Sequence, residues 1–432
     1  MRWPASLVID YSRVIGEGSP YVFGATQPRG LSDTQWDRLV DDGFTFARSQ
    51  ADLTRLVPAD SPEAYRQNQD GCADPENWRW TEGIYGNDFA QSAIDRDMEV
   101  CLTVKNARWN RYEGAPDDEE TMPRDLEVWK DIVTKIVNHY EGGISYLEMF
   151  NEVDREPQFR VEGSPFTRET GYRQVVWAAL QAVAESDYPE TPVGGPAAAL
   201  VGAREAEWLL KDERIRDRLG CLTFHEFDCP VYPHWAADEL RSVASHYGRD
   251  IPILRTSHVP EFGRTGGRPG TTEPVYIAPM IIGALKDGLA ASSLWEIQNR
   301  NGRDDWRYWF DGDETVQTAE LYRMMSRSLG LGRGPSRIVR TTGPFAHALG
   351  AVNADGDRIA VFAAPNRASF TARFDGFVND AEVTMEFFRA DGEHSGLQPI
   401  RTTTSQAEDG RIELPITLPA GAVLGLRLRA NR

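Results

Sequence analysis

Cysteine and lysine are scarce in this chain of 432 residues, which has four cysteines and only five lysines among its 47 basic residues. The cysteines form neither a CxxC pair nor a Cys/His cluster at the spacing of a zinc site. Free thiols are the expected state, with a Cys221–Cys229 disulfide as the alternative because these two residues flank one predicted strand. A chain of this length can bury a full core without disulfides or metal ions.

The sequence also lacks a run of about 20 apolar residues, the length that a membrane-spanning helix requires. Its first segment, MRWPASLVIDYSRV, lacks the apolar core of a secretory signal. We therefore expect a cytoplasmic protein, or a secreted one if a leader precedes this sequence. The net charge is −19, whereas proteins that bind nucleic acid normally have a basic face. Neither nucleic acid nor membrane is an expected partner.

Short apolar segments alternate with amphipathic helical segments over roughly the first three quarters of the chain. This βαβ pattern is typical of a parallel sheet that is buried on both faces, and eight such strands predict an α/β fold, the (β/α)8 or TIM barrel. The predicted strands are Tyr21–Ala25, Phe44–Arg48, Glu99–Val104, Ile144–Phe150, Pro192–Gly195, Leu222–Phe224, Ile251–Arg255 and Ala291–Trp295. The predicted helices are Asp33–Asp42, Leu126–His139, Gly171–Glu185, Ala236–Tyr247, Tyr276–Asp287 and Thr318–Leu329.

Beyond the glycine-rich linker at Gly330–Pro335, short alternating strands are separated by turn residues, which predicts a C-terminal antiparallel β-sandwich. The N-terminal segment Ser6–Ile15 also has strand character, and we expect it to join this sandwich. The predicted domains are residues 1–18 as N-terminal strands of the sandwich, 19–332 as the barrel and 333–432 as the sandwich. The predicted sandwich strands are Arg358–Ala363, Ala381–Phe388, Arg411–Leu414 and Val423–Leu428.

Polar residues that end barrel strands are the candidates for chemistry, because the active site of such a barrel lies at the carboxyl ends of its strands. They include one histidine, and no HxH motif or phosphate-binding glycine loop is present, so we predict neither a metal nor a cofactor. Carboxylates and aromatic rings remain, and these are the groups that cleave and stack on sugars. The candidates are Gln27, Arg48, Lys105, Asn106, Asn151, Glu152, His225, Glu226, Glu261, Trp295 and Glu296.

The most specific motif is the segment YLEMFNE, in which a predicted strand ends in Asn151-Glu152. It resembles the fourth-strand motif Glu-Val-Trp-Asn-Glu-Pro of clan A glycoside hydrolases, and particularly of family 39, the β-xylosidases and α-L-iduronidases. Glu148 matches as well. The departures from the family motif are Phe150 in place of Trp and Val153 in place of Pro.

Weaker similarities extend this resemblance over almost the whole chain. Val193–Pro196 is similar to the family's fifth-strand motif, and Phe224-His225 is similar to its sixth-strand aromatic-His pair. Arg48 stands where the clan has a second-strand arginine that binds the nucleophile. Residues 8–24 resemble the segment that leads into the family's first barrel strand.

The resemblance implies a retaining O-glycosidase that cleaves an oligo- or polysaccharide by double displacement. Glu152 would be the acid/base, with a pKa raised by an apolar site and a neighbouring carboxylate, and Asn151 would hold the sugar 2-hydroxyl. A retaining mechanism predicts about 5–5.5 Å between the two carboxyl groups.

The nucleophile implied by the resemblance is Glu261, which begins the tripeptide Glu-Phe-Gly beyond the seventh strand. Extra residues separate it from Thr256, so it reaches the site only if this strand bulges; otherwise Ser257 occupies the expected position. Glu296, Glu226 and the absence of any nucleophile remain alternatives.

A further set of residues is predicted to contact the carbohydrate substrate. Trp109 forms a cluster with Trp78 and Trp80 that is either a sugar platform or a packed loop, and the acidic run Asp117–Glu120 is expected to be a solvated loop. The arginines that would either pair a uronic carboxylate or lie on the surface are Arg108, Arg111, Arg300 and Arg303. The full set of predicted substrate contacts is Asn151, Arg48, His225, Trp295, Glu296, Lys105, Asn106, Gln27 and Trp109.

Structural roles are the alternative for several of these residues. Asn151-Glu152 is also compatible with a helix N-cap, Arg48 with a structural ion pair, and His225 and Trp295 with the core. For the whole protein, the alternatives are a sugar-binding barrel with impaired catalysis (a pseudo-glycosidase) and a barrel lyase or an aldolase that uses Lys105. The sequence leaves the oligomeric state open.

Overall fold

The computed structural model describes residues 6–26, 31–155, 158–199, 202–227, 235–259, 274–294, 310–311, 314–315, 317–343 and 347–431. Within these residues no helix is long and apolar enough to cross a membrane.

Eight parallel strands close into a barrel, as predicted, with the first barrel strand paired to the last through Gly24 opposite Ser293. A longer strand, β1 (Ser6–Gly18), precedes the barrel. The barrel strands are β2 (Gly24–Thr26), β3 (Phe46–Ala51), β4 (Glu99–Val104), β5 (Tyr146–Met149), β6 (Val193–Ala198), β7 (Cys221–Phe227), β8 (Ile253–Val259) and β9 (Ala291–Leu294).

Helices surround the barrel and bury one face against it. In the helix Leu126–His139, Trp129, Ile132 and Ile136 are buried at helical spacing, and the Asp125 side chain caps the first turn by accepting from the Val128 N–H. The helices are α1 (Asp33–Asp42), α2 (Leu53–Leu56), α3 (Pro62–Arg66), α4 (Trp80–Gly83), α5 (Tyr85–Ile94), α6 (Leu126–His139), α7 (Arg168–Glu185), α8 (Ala203–Leu210), α9 (Glu213–Arg216), α10 (Trp235–His246), α11 (Pro274–Lys286) and α12 (Gln317–Tyr322). A π-helical turn, Arg323–Ser328, continues α12.

The remaining strands form a small hairpin and one mostly antiparallel sheet of nine strands. The hairpin consists of β10 (Phe310–Asp311) and β11 (Glu314–Thr315). The other sheet strands are β12 (Ser336–Thr342), β13 (Ala348–Val352), β14 (Arg358–Ala363), β15 (Ala368–Asp375), β16 (Glu382–Ala390), β17 (Arg401–Gln406), β18 (Arg411–Leu418) and β19 (Val423–Ala430). Their order, with β1 included, is β17-β16-β19-β14-β13-β12-β1-β15-β18.

Strand β1 lies inside this C-terminal sheet, antiparallel to β12 and parallel to β15. The expectation that the N-terminal strand joins the C-terminal sheet is therefore confirmed. The sheet curls around an apolar core that includes Leu7, Phe362 and Leu426. The Tyr11 hydroxyl crosses this core and donates to the carbonyl of Ile359 at 3.0 Å. The division of the chain at residues 18 and 332 stays a prediction.

Candidate active site

An ion pair occupies the middle of the barrel interior. Arg48 on β3 donates to the Glu148 carboxylate on β5 through Nε at 2.9 Å and through Nη2 at 2.5 Å. Thr103 and Thr256 donate to the same carboxylate, each at 2.7 Å. Glu148 is completely buried, which raises its pKa, but the charges of Arg48 and His225 and the two threonine hydrogen bonds outweigh burial, so the pKa lies below its ordinary value. Within the described residues, Arg48 therefore has the structural ion-pair role.

The chain turns sharply where β5 ends, and this turn presents Glu152 at the barrel mouth. Phe150 and Glu152 have φ of 62° and 52°, in the left-handed region that non-glycine residues seldom adopt. Two backbone bonds hold the turn, from Phe150 N–H to the Val104 carbonyl at 2.9 Å and from Glu152 N–H to the Ala197 carbonyl at 2.8 Å. No helix begins here, so the helix-cap alternative is wrong.

Glu152 is 8 % exposed, and within the described residues its carboxyl group has two partners. His225 on β7 places Nδ1 3.0 Å from Oε1, and Arg155, whose side chain is half exposed, places Nη1 3.3 Å from Oε2. Burial raises the pKa of Glu152. The His225 hydrogen bond and the charges of His225, Arg155 and Arg48 together lower it by more than burial raises it, so the net pKa is below the ordinary value. The expected raised pKa is therefore wrong for the free protein.

Asn151 is held in one orientation by its neighbours. Its Oδ1 accepts from Arg48 Nη2 at 3.0 Å and from Gln50 Nε2 at 3.4 Å. The amide nitrogen makes no hydrogen bond within the described residues, so it is available as a donor. The structure thus brings together four predicted residues: Arg48, Asn151, Glu152 and His225.

Gln50 and Arg155 are site residues that the sequence reasoning missed. Gln50 is two positions beyond Arg48 on one strand, and this spacing, which places both side chains on the same face, was the available signal. Arg155 lies in the loop after β5, and nothing in the sequence distinguishes it from a surface arginine.

The second half of the acidic run after β4 is folded onto the barrel mouth, so the expectation of a solvated loop is wrong for Glu119 and Glu120 but holds for Asp117, whose side chain is 73 % exposed. The side chains of Glu119 and Glu120 are only 18 % and 15 % exposed, and Lys105 Nζ lies 2.6 Å from Glu120 Oε1. Burial raises the pKa of Glu120 to about 7, although Lys105 opposes this. Asn106 is fully buried and donates to the Asn110 carbonyl at 2.8 Å, which supports the same loop. The amine that an aldolase would use to form an imine is thus occupied by a carboxylate.

Strand β8 bulges at Thr256. Phe224 pairs with Arg255, but the next residue, His225, pairs with Ser257, so one residue of β8 is extra. The Thr256 carbonyl in this bulge accepts from the Ser293 hydroxyl at 2.6 Å. The predicted residues that lie outside the described part of the chain are Gln27, Cys229, Glu261, Trp295, Glu296, Arg300 and Arg303.

Glu226 faces away from the barrel interior. Its carboxylate lies 2.6 Å from Arg255 Nη1, and Arg255 also donates to the Met280 carbonyl in α11 at 2.7 Å. Side chains alternate along a strand, so Glu226 lies on the opposite face from His225, which contacts Glu152. This placement rejects Glu226 as an alternative nucleophile.

The predicted tryptophan cluster is divided between two places. Trp80 stacks on His139 of α6 with ring centroids 3.4 Å apart and contacts Trp78, so these two tryptophans form a packed loop. Trp109 instead stacks on Tyr65, with ring centroids 6.0 Å apart, and lines a separate cleft.

The described cysteines are unpaired thiols, and the candidate metal ligands lie in the nine-stranded sheet, away from this site. Cys221 is a free buried thiol, as are Cys72 and Cys101, which excludes the Cys221–Cys229 disulfide. In the described part of the chain, metal-ligand spacing occurs at Asp391, Glu393 and His394 of the nine-stranded sheet. Arg389 already pairs with Asp391 at 2.6 Å, so this group does not fit a metal ion well.

No protein-family model matches this chain, and neither does any curated protein. Solved structures are similar in fold. A glucosidase from Croceicoccus marinus has 15% sequence identity and a TM-score of 0.73, with 99% of each chain covered. A glycoside hydrolase family 39 enzyme from Xanthomonas axonopodis pv. citri has 12% identity and a TM-score of 0.65, covering 100% of this chain and 98% of its own.

A monomeric β-xylosidase from Caulobacter crescentus CB15 has 12% identity and a TM-score of 0.67, covering 99% of this chain and 100% of its own. Identities this low establish the fold alone. The chain is thus similar over its whole length to the fold of clan A glycoside hydrolases, including family 39, as its sequence motifs predict.

Proposed function

We propose that this protein is a retaining glycoside hydrolase that cleaves an O-glycosidic bond in an oligo- or polysaccharide, with Glu152 as its acid/base. One observation carries the proposal: a buried carboxyl group at the carboxyl end of β5, bonded to His225 and adjacent to an amide fixed by Arg48. A barrel of this type has its active site at this end, and a buried, oriented carboxyl group is what proton transfer to a glycosidic oxygen requires.

Glu152 must carry a proton in the first step, whereas the free protein favours its ionised form. The half-exposed Arg155 is the partner that a substrate can most easily displace, because its guanidinium can move into solvent. Loss of that charge raises the pKa of Glu152 toward the range of a proton donor. Glu152 would then protonate the leaving oxygen and later deprotonate water.

Glu261 remains our candidate for the nucleophile. One support is the bulge at Thr256, which is fixed by hydrogen bonds to Ser293 and Glu148. The other is that β8 ends at Val259, two positions before Glu261. In this proposal the Glu261 carboxylate attacks the anomeric carbon. The carboxyl groups of Glu261 and Glu152 would then be roughly 5–5.5 Å apart. The Asn151 amide would donate to the sugar 2-hydroxyl.

The test is hydrolysis of a panel of aryl glycosides and oligosaccharides, with the anomeric configuration of the first product read by NMR. We expect retained configuration, and we expect Glu152→Gln and Glu261→Gln each to lower kcat/KM at least about 100-fold, since acid–base catalysis alone contributes about 10²–10⁴-fold. Glu239→Gln, which removes an exposed carboxyl group on α10, is the matched control and should retain full activity.

Inverted configuration, or full activity of Glu152→Gln, would overturn the proposal. A protein that binds oligosaccharides but hydrolyses none of the panel is instead the impaired sugar-binding barrel. Loss of activity in Glu152→Gln but not in Glu261→Gln would support Glu152 as the acid/base and would show that the nucleophile is a carboxylate other than Glu261.

A further inference from the structure

A cleft of about 860 Å³ opens between the loops that follow β3 and β4. Its volume is within the range of about 300–1,000 Å³ that is typical of small-molecule sites. The residues that define its chemistry are Asp60, Glu63, Arg108, Trp109, Arg111, Tyr112, Glu113, Asp117 and Arg124.

The cleft belongs to the same barrel mouth as Glu152. The loop after β4, which forms one wall, is bonded to the loop after β5, in which Glu152 lies near the start. Met122 N–H donates to the Arg160 carbonyl at 2.7 Å, and Arg160 N–H donates to the Glu120 carbonyl at 2.7 Å. The loop that forms one wall of the cleft is therefore joined by hydrogen bonds to the loop that contains the candidate acid/base.

Every arginine in the cleft is already paired. Arg108 donates to Glu119 at 3.2 Å, and Arg124 donates to Glu63 at 2.7 Å. Arg111 lies 3.6 Å from Asp117 and donates to the Ala115 carbonyl at 2.6 Å.

Four carboxylates line the cleft against three arginines, so its net charge is negative. An anionic sugar would be repelled here. This balance disfavours the alternative in which Arg108 and Arg111 pair a uronic carboxylate.

The remaining chemistry of the cleft is suited to uncharged sugars. The partly exposed Trp109 is held by its stacking on Tyr65, which keeps the indole rigid, and Tyr112 lies in the same lining. Aromatic rings of this kind pack on the apolar face of a sugar ring. Asp60 and Glu113 are exposed and make no hydrogen bond or ion pair within the described residues, so their oxygens can accept from sugar hydroxyls.

We propose that this cleft binds an uncharged sugar unit of an extended oligosaccharide, with Trp109 as its stacking platform and Asp60 and Glu113 as hydroxyl acceptors. The proposal deepens the proposed glycosidase function. It rests on that function in one respect, namely that the other end of the bound oligosaccharide reaches Glu152. It assigns the substrate to the uncharged oligo- and polysaccharides, as opposed to uronic acid polymers.

The experiment is calorimetric titration of the full-length Glu152→Gln protein with xylohexaose, cellohexaose, mannohexaose and hexagalacturonate. At least one uncharged hexasaccharide should bind, and hexagalacturonate should bind more weakly than it. Adding Trp109→Ala should weaken that binding about ten-fold, which corresponds to about 1.4 kcal/mol. Adding Trp208→Ala, which removes a partly buried tryptophan from α8, is the matched control and should leave it unchanged.

A second variant covers the possibility that Trp109→Ala does not fold, because Trp109 packs on Tyr65. The double change Asp60→Asn and Glu113→Gln alters two exposed side chains and should weaken the same binding several-fold. Tighter binding of hexagalacturonate, binding of none of the uncharged hexasaccharides, or unchanged binding by the folded cleft variants would overturn the proposal. Hydrolysis of aryl glycosides by the unaltered protein is measured separately, so a failed glycosidase assignment is distinguished from a failed cleft.

Discussion

The interiors of the barrel and of the nine-stranded sheet are built on opposite principles. The sheet encloses apolar side chains such as Ile9, Phe374 and Leu428, and the Tyr11 hydroxyl is a polar group within this core. The barrel interior has one apolar layer, which includes Phe46 and Leu254, and above it a polar layer. That layer contains Thr26, Arg48, Thr103, Glu148, Thr256 and Ser293, all buried.

The difference shows that one region of this molecule is built for stability, whereas the other orients polar side chains. Apolar burial stabilises the sheet without fixing the orientation of any polar group. A buried ion pair adds little net stability compared with apolar packing, but its directional bonds orient the groups that it touches. In the barrel, Glu148 contacts β3, β4 and β8 through Arg48, Thr103 and Thr256. We interpret this layer as the support that orients Asn151 and fixes the β8 bulge.

The largest expected effect comes from breaking the buried pair. Arg48→Met leaves the Glu148 carboxylate without its counter-ion and should lower the free energy of unfolding by about 3–5 kcal/mol. The matched change in the sheet is Arg429→Met, because Arg429 pairs with Asp357 at 2.8 Å while 47% of its side chain is exposed. That change should cost less than about 1 kcal/mol.

Urea unfolding of both variants measures this contrast. The double variant Arg48→Met with Glu148→Leu should recover much of the lost stability, because it removes the orphaned charge. Equal losses for the two single variants would show that the barrel pair is no more consequential than a surface pair.

A smaller effect is the dependence of barrel stability on pH. The folded-state pKa of Glu148 lies below its unfolded value of about 4.3, so its contribution to stability is present above that pH and is lost as the pH falls through the folded value. Glu148→Gln should therefore be less stable than the unaltered protein at pH 7, and this gap should narrow toward pH 3. Urea unfolding at intervals of pH measures it. Asp357→Asn in the sheet is the control. A difference in the free energy of unfolding between Glu148→Gln and the unaltered protein that stays constant with pH would contradict the prediction.

The smallest expected effect concerns Arg155 and the pH profile of catalysis. Arg155→Gln removes a positive charge beside Glu152, which raises the pKa of the carboxyl group and moves the alkaline limb of kcat/KM to higher pH. The shift should be small, because solvent screens the charge of the half-exposed Arg155. Arg173→Gln removes the same charge from α7, away from the site, and should shift nothing. Identical profiles for the two variants would remove Arg155 from the site.

Periodicity predicted many, but not all, of the elements that are buried on a regular pattern; β13 and β15 are buried regularly and were missed. The strand Glu99–Val104 and the helix Leu126–His139 have the predicted bounds, because every strand residue after the first and one whole helix face are buried. Strand β17, Arg401–Gln406, was missed because its sequence RTTTSQ is polar and it lies at the sheet edge. Its pairing with β16, not its composition, makes it a strand.

The site was predictable where residues end strands and unpredictable where partners meet through the fold. Asn151 and Glu152 stand directly after an apolar strand, and their position in the sequence was informative. The run Asp117–Glu120 is only a row of negative charges in the sequence. The cations that bury part of it, including Lys105, are brought there by the fold.

Strand β1 has a consequence for the order in which the protein can be completed on the ribosome. The Tyr11 hydroxyl finds its acceptor 348 positions later in the chain. At about 5–20 residues per second, synthesis leaves the first strand without its neighbours for on the order of half a minute. All eight barrel strands are translated in that interval. Strand β1 can therefore pair with β12 and β15 only after the barrel strands have been synthesised.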